Sequence, residues 1–200
     1  MDRAGFREII HLVASLLVLT IAFSYPSTGM EALGIAAIGV GSGFLLHELA
    51  HKFTAQRYGY VADYEASPTG LLMAIGLSVL TKGGFVFAAP GAVMIRGKWT
   101  HAEDIYSEPA KEIAYISVSG AVVNLALAVS FYTASLFVAQ SGLAYAVLTK
   151  SAFINVFLAG FNMIPFGPLD GAKVWRYNPI LWGLVGIPAI ILFFALTQLS

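Results

Sequence analysis

Residues 32–51 read ALGIAAIGVGSGFLLHELAH. The first fifteen residues of this stretch are uncharged, and the last five contain two histidines and a glutamate. A helix needs roughly 20 apolar residues to cross a bilayer, so residues 31–53 are predicted to form a membrane span. Ionisable groups inside such a helix are costly and usually functional. HELAH, residues 47–51, therefore marks candidate functional residues at one end of a membrane helix.

The composition of the whole chain is that of a membrane protein. Of its 200 residues, 58% are hydrophobic and 11% are charged, with a mean hydropathy of +0.78, whereas soluble domains carry roughly 25% charged residues. The net charge of zero gives no reason to expect a nucleic-acid partner. The sequence has no cysteine, which excludes disulfides and thiolate metal ligands.

Five apolar segments are predicted as membrane helices, namely 9–25, 31–53, 112–139, 145–164 and 180–199. Residues 70–97 are less regular: the first half is compatible with a helix, and the second half is predicted to hold two short strands, 85–88 and 92–95, joined at Pro90-Gly91. Because irregular backbone at membrane depth needs cover from protein or a wet cavity, this segment is predicted to be re-entrant or interfacial. The predicted fold class is an all-α membrane protein, a multi-span helical bundle with a small membrane-associated β-hairpin, in one domain over 1–200.

Basic residues predict how the chain is oriented. Cytoplasmic loops carry an excess of lysine and arginine, and nine of the eleven such residues fall on one side if residues 70–95 enter the membrane and return. The nine are Arg3, Arg7, Lys52, Arg57, Arg96, Lys98, Lys111, Lys173 and Arg176, while Lys150 is on the other side and Lys82 is undecided. The N-terminus, HELAH and the polar stretch 96–111 are therefore predicted to face the cytoplasm, in a multi-pass protein of the cell membrane.

HELAH has the spacing found in metal-dependent hydrolases. His47 and His51 are four residues apart and share one face of a helix, so both imidazoles can reach one ion. Glu48 can approach an attacking water without binding the metal. Catalytic zinc takes three protein ligands and keeps a further position open, so a third ligand is required. Short patterns recur by chance, and the alternative is that both histidines only pack at a helix end.

Asp170 is the strongest candidate for the third ligand. It lies in NMIPFGPLDGAKV, residues 162–174, after the fourth predicted span and at the same predicted depth as HELAH. Pro165, Pro168 and Gly171 must break the helix there, which exposes backbone polar groups beside the site. The alternative is that Pro-Leu-Asp-Gly is only a turn at the end of a span.

Together these motifs resemble those of the site-2 protease family of intramembrane zinc metalloproteases. HELAH matches the first family motif. The second, N-x-x-P-x-x-P-L-D-G, matches at Asn162, Pro165, Pro168, Leu169, Asp170 and Gly171. A third, G-x-x-x-N, matches at Gly120 and Asn124. The resemblance covers residues 31–174; Ala172 stands where many relatives have a second glycine, and the inserted regulatory domain of several relatives is missing.

The resemblance implies that His47, His51 and Asp170 bind one zinc ion per chain and that Glu48 is the general acid and base. It also implies that Asn162 helps to hold the scissile carbonyl or its oxyanion. The expected activity is hydrolysis of peptide bonds in transmembrane segments of other membrane proteins. Such substrates and the lipid bilayer are the expected partners, and the sequence does not indicate an oligomeric state.

Two other functions are compatible with zinc ligands in a membrane helix. A membrane zinc protease of another class would act on soluble tails, but such families usually take a glutamate or a histidine of another helix as third ligand. A non-catalytic zinc transporter or scaffold is the second alternative. A transporter would need carboxylates along several helices, which this chain almost lacks, and a scaffold would be expected to lose Glu48.

Overall fold

The computed structural model describes residues 3–98 and 109–197, so most of the predicted loop at 96–111 lies outside the described residues. Within these ranges the chain forms eight α-helices, two β-strands and one π-helical turn. They are α1 (Arg3–Ser24), α2 (Met30–Val40), the π-helical turn (Gly41–Leu45), α3 (Leu46–Arg57), β1 (Tyr60–Ala66), α4 (Pro68–Leu80), β2 (Gly91–Lys98), α5 (Pro109–Ser135), α6 (Leu143–Asn162), α7 (Asp170–Tyr177) and α8 (Pro179–Thr197). The predicted class, a helical membrane protein with a two-stranded antiparallel element, is confirmed.

Four helical stretches of the described chain are long and apolar enough to cross a membrane: Gly5–Ser24, Met30–Arg57, Lys111–Ser135 and Leu143–Asn162. They correspond to the first four predicted spans, although α5 ends at Ser135 rather than at 139. The second stretch is continuous because the π-helical turn joins α2 to α3. Helix α8, at the fifth predicted span, is a shorter apolar helix over Pro179–Ala195. The chain is therefore a multi-pass membrane protein.

The strand pairing differs from the prediction. β2 includes the predicted strand 92–95, but its antiparallel partner is β1, with Tyr64 opposite Val93. Residues 85–88 form no strand, and helix α4 lies between the two strands in the chain. Phe85 and Phe87 instead pack against Phe161 of α6, with ring centroids 6.0 and 5.3 Å apart. The alternating aromatics at 85 and 87 imitate a strand pattern because both rings reach the helical core.

Close contacts between helices fix the position of α3. In the core, Phe157 of α6 packs edge-to-face against Phe23 and Phe193, with centroids 5.3 and 5.0 Å apart. Glycines let the helix that leads to HELAH approach α6 closely: a Cβ on Gly39 or Gly43 would lie 2.7 Å from a side-chain carbon of α6. Small residues commonly allow such close helix packing in lipid.

The Leu-Asp-Gly segment, at the start of the short helix α7, packs against the end of α6. After α6 the chain turns through Gly167, whose φ of +64° favours glycine. A Cβ on Gly171 would lie 2.2 Å from the carbonyl oxygen of Met163, so glycine is needed where the first turn of α7 meets the end of α6. Trp182 of α8 donates from Nε1 to the same carbonyl, at 2.9 Å. Asp170 begins α7 and is thereby directed at α3.

Candidate metal centre

The two histidines of α3 direct their Nε2 atoms toward each other. Both side chains are buried, and their Nε2 atoms are 2.9 Å apart. The Nδ1 atom of His47 lies 2.5 Å from Oδ1 of Asn124, and that of His51 lies 2.7 Å from the carbonyl oxygen of Ile116, both on α5. Because these oxygens only accept, each Nδ1 donates, and in the neutral imidazole each Nε2 then carries a lone pair. Two such lone pairs repel at this distance unless a cation lies between them.

Asp170 completes the group from α7. Its Oδ2 lies 2.9 Å from Nε2 of His51 and 3.4 Å from Nε2 of His47. Its Oδ1 accepts from Nζ of Lys173 at 3.1 Å. The carboxylate therefore offers one charged oxygen to the histidines while Lys173 binds the other.

These three residues fit a zinc ion. One ligand atom from each lies within 4.8 Å of the other two. Tetrahedral ligands at the usual zinc distances lie about 3.3 Å from one another, and the separations here are 2.9, 2.9 and 3.4 Å. The set of two imidazoles and one carboxylate is also typical of catalytic zinc. The predicted metal ligands His47, His51 and Asp170 are thus brought together.

Glu48 lies beside this group without belonging to it. Its carboxylate is buried and borders the same cavity as His51 and Asp170. Among the residues that the structure describes, none hydrogen-bonds to Oε2 of Glu48. Buried polar atoms normally have a partner, so this oxygen is available to a group inside the cavity. Glu48, the predicted general acid and base, therefore lies beside the predicted metal ligands without joining them.

Asn162, the last residue of α6, borders that cavity as well. Its Nδ2 donates to the carbonyl of Leu158 at 2.9 Å. An amide nitrogen carries two hydrogens, so one remains for another acceptor. The cavity has a volume of about 400 Å³ and is bordered on one side by β2, including Val93 and Ile95. Glu48, Asn162, His51 and Asp170 therefore border one cavity, and His47 lies behind them, with its Nε2 next to His51 and Asp170.

Some residues that support the ligands are not identified by the motifs. Lys173 contacts Asp170, and Asn155 contacts His47 through Asn124. The sequence does give a signal for Asn124 and Asn155, because polar residues inside membrane helices are rare and usually have a function. Lys173 carries no such signal, because a lysine after a membrane span is expected from orientation alone.

A multi-pass membrane protein with a buried His-His-Asp centre and an adjacent glutamate belongs to the class of membrane zinc metallohydrolases. The chain is 39% identical over 188 residues to a protein of Methanocaldococcus jannaschii, the "Putative zinc metalloprotease MJ0611", covering 94% of this chain and 93% of that one. It is 28% identical over 139 residues to the "Putative zinc metalloprotease Rip2" of Mycobacterium tuberculosis, strains Erdman and H37Rv, covering 63% of this chain and 50% of Rip2.

No family model matches the chain. No solved structure matches it either. The extent of the similarity to the archaeal relative, together with the metal centre, identifies the family. The chain belongs to the site-2 protease family of membrane zinc metalloproteases.

Proposed function

We propose that this chain, with one zinc ion bound, hydrolyses peptide bonds within transmembrane segments of other membrane proteins. The observation that carries the proposal is the cluster of three ligand atoms from His47, His51 and Asp170 beside a cavity that Glu48 also borders, in the second half of a membrane-spanning helix. Beside the ligands, the buried Oε2 atom of Glu48 has no hydrogen-bond partner among the described residues. A transporter or a scaffold would not need such an oxygen.

The positions of the side chains support a role for each of them. Zinc held by His47, His51 and Asp170 would supply a Lewis acid that polarises a carbonyl and acidifies water. The carboxylate of Glu48 takes a proton from the attacking water and then passes it to the amide nitrogen as the C–N bond breaks. The second Nδ2 hydrogen of Asn162 can be donated to the oxygen that gains charge in the transition state.

A helical substrate must unfold locally, and β2 offers hydrogen bonds to the extended chain. At the outer edge of β1, the backbone N–H of Tyr64 donates to Oε1 of Glu8, and that of Ala66 to Nδ1 of His11, at 3.1 and 3.4 Å. Residues opposite one another in an antiparallel pair direct their backbone groups alike, inward or outward. Since Tyr64 directs its N–H outward, its partner Val93 does so on β2.

Gly91, Val93 and Ile95 therefore direct their backbone N–H and C=O groups to the edge of β2 that faces away from β1, called here the free edge. All three residues border the metal-site cavity. An extended substrate segment can add to this edge as a further strand, because strand addition replaces the backbone hydrogen bonds that its helix gives up. The substrate would enter sideways between helices, with the N-terminus and the site of this chain on the cytoplasmic side.

The proposal is tested with the full chain purified in detergent and reconstituted in liposomes. Zinc is quantified, and cleavage is assayed on a panel of single-span helices and on the same sequences as soluble peptides. We expect one zinc per chain and cleavage inside the spans. Glu48→Gln should retain zinc and lose cleavage by at least about 10²-fold. Cleavage of soluble tails alone would favour a zinc protease of another class, and zinc binding without hydrolysis would favour a transporter or scaffold.

A further inference from the structure

We infer that Asn155 is a positioning residue of the metal centre, which acts through Asn124 to fix the tautomer and orientation of His47. Both asparagines are fully buried, on α6 and α5 respectively. They link the ring of His47 to two backbone carbonyls through hydrogen bonds of 2.5 to 3.0 Å. No motif assigns Asn155 a role, and its hydrogen bonds reach His47 only through Asn124.

The direction of every hydrogen bond in this chain of amides is determined. Nδ2 of Asn155 donates to the carbonyl oxygen of Ser151 at 2.9 Å, an atom that can only accept. Oδ1 of Asn155 therefore faces Asn124, which must present its own Nδ2, at 2.9 Å. The second Nδ2 hydrogen of Asn124 goes to the carbonyl oxygen of Gly43 at 3.0 Å. Only Oδ1 of Asn124 is left for His47, so Nδ1 of the imidazole must donate and Nε2 must be the ligand atom.

The π-helical turn takes part in this arrangement. Gly43 lies in that turn, where hydrogen bonding departs from the regular α-helical pattern, as is frequent at functional sites. Its carbonyl accepts from Asn124, and a Cβ on Gly43 would lie 3.2 Å from Oδ1 of Asn155. The turn that precedes His47 in the chain thus also anchors Asn124, the amide that fixes the tautomer of the His47 ring.

The two histidines differ in how they are held. His51 donates to a backbone carbonyl, that of Ile116, which no side-chain substitution removes. His47 depends on two side chains, and the second of them is oriented by the first. Substitution of Asn155 should therefore loosen His47 and leave His51 in place. The inference rests on the metal site of the proposed function and is independent of which substrate is cut.

The test measures zinc affinity by competition with a chelator on the full chain in detergent. We expect Asn124→Leu and Asn155→Leu to bind zinc about 10- to 100-fold more weakly, the usual effect of losing a residue that orients a ligand. Asn124→Asp keeps an acceptor for Nδ1 of His47 and should bind zinc more tightly than Asn124→Leu. Ser78→Ala is the control, because it removes another buried bond between helices, from Ser78 Oγ to the carbonyl of Ala22, far along the chain from the ligands; its zinc affinity should be unchanged.

A spectroscopic measurement separates positioning from packing. In zinc-loaded protein labelled with ¹⁵N-histidine, the Nδ1 proton of His47 should exchange faster with water in Asn155→Leu, while that of His51 stays protected. Wild-type zinc affinity and wild-type exchange in Asn155→Leu would overturn the inference, as would equal losses in Asn124→Leu and Asn124→Asp. Asn155→Ala removes the amide without adding bulk and replaces Asn155→Leu, with the same expected results, if the leucine variant does not fold. Because zinc is measured directly, absence of proteolysis would count against the proposed function alone.

Discussion

Gly120→Ala is expected to damage the metal centre while leaving the helix that carries it intact. Gly120 lies on α5 directly opposite the ring of His47. A Cβ built at this position would lie 2.6 Å from Cε1 and Nε2 of that imidazole and 2.7 Å from Cδ2. The added methyl group would therefore collide with the ligand atom itself, although Gly120 is far from His47 in the sequence.

The size of the effect follows from these distances. Ordinary carbon contacts are about 3.5–4.0 Å, so the ring must move by about 1 Å. A functional site tolerates displacements of only about 0.5 Å, and His47 cannot tilt freely because Asn124 holds its Nδ1. Overpacking costs about 1–3 kcal/mol, which corresponds to a loss of zinc affinity between about 5-fold and 150-fold. Alanine favours a helix over glycine by about 1 kcal/mol, so helix formation should not suffer.

The assay is zinc affinity by chelator competition, with thermal unfolding of the zinc-free chain measured alongside. Gly76→Ala is the matched control: Gly76 is also helical, in α4, and a Cβ there would meet no described atom within 4 Å. Gly76→Ala should bind zinc as the wild type does. In zinc-free Gly120→Ala the His47 ring can shift aside at the cost of its hydrogen bond to Asn124, about 1 kcal/mol, which the gain in helix propensity offsets, so the unfolding temperature should stay near that of the wild type. Wild-type zinc affinity in Gly120→Ala would refute the conclusion that the ring of His47 packs against Gly120 of α5.

Three further substitutions probe the strand edge, the third ligand and the core. Val93→Pro removes a backbone N–H at the free edge and leaves the hydrogen bonds between β1 and β2 in place. Cleavage of membrane segments should fall by up to about tenfold, the equivalent of about 1.4 kcal/mol, with zinc content unchanged. The control Val93→Ala keeps the N–H and should cleave normally. Lys173→Met frees Oδ1 of Asp170 and should weaken zinc binding about tenfold in chelator competition; an unchanged affinity would mean that the lysine does not orient the carboxylate. Tyr64→Phe removes the 2.8 Å hydrogen bond to Ser15 and should lower the free energy of unfolding by about 1 kcal/mol, measured by denaturation in detergent.

The helices are predictable from sequence because lipid imposes one condition, that each backbone polar group be satisfied within its own segment. Long apolar runs are the visible result, and the first four spans lie close to their predicted positions. The strand partner is not predictable in this way. β1 reads YVADYEA, in which Asp63 and Glu65 alternate with apolar residues, but the segment is short and rich in Ala, Asp and Glu, which are depleted in strands; the aromatic and β-branched residues at 85–87 give a stronger strand signal. Side-chain periodicity does not reveal that α1 and β2 occupy the two edges of β1.

The ligands of the metal centre are predictable for a different reason. A carboxylate or imidazole in or beside a membrane helix has few roles available, so HELAH and Asp170 stand out from the apolar chain. Their supporting contacts do not stand out, since Ile116 acts through its backbone and Gly120 acts through the absence of a side chain. Such contributions leave no chemical signature in a single sequence, and only the packing of α3 on α5 reveals them.

One face of α5 explains why the G-x-x-x-N motif belongs to this site. Ile116, Gly120 and Asn124 are spaced by four residues and so lie in a row along the helix. The first accepts from His51, the second makes room for the ring of His47, and the third accepts from Nδ1 of that ring. The two histidines are themselves four residues apart on α3, so the rows match turn for turn. The same contacts therefore pack α3 against α5 and orient the zinc ligands. A substitution that changes the packing of these helices must also change the orientation of the ligands.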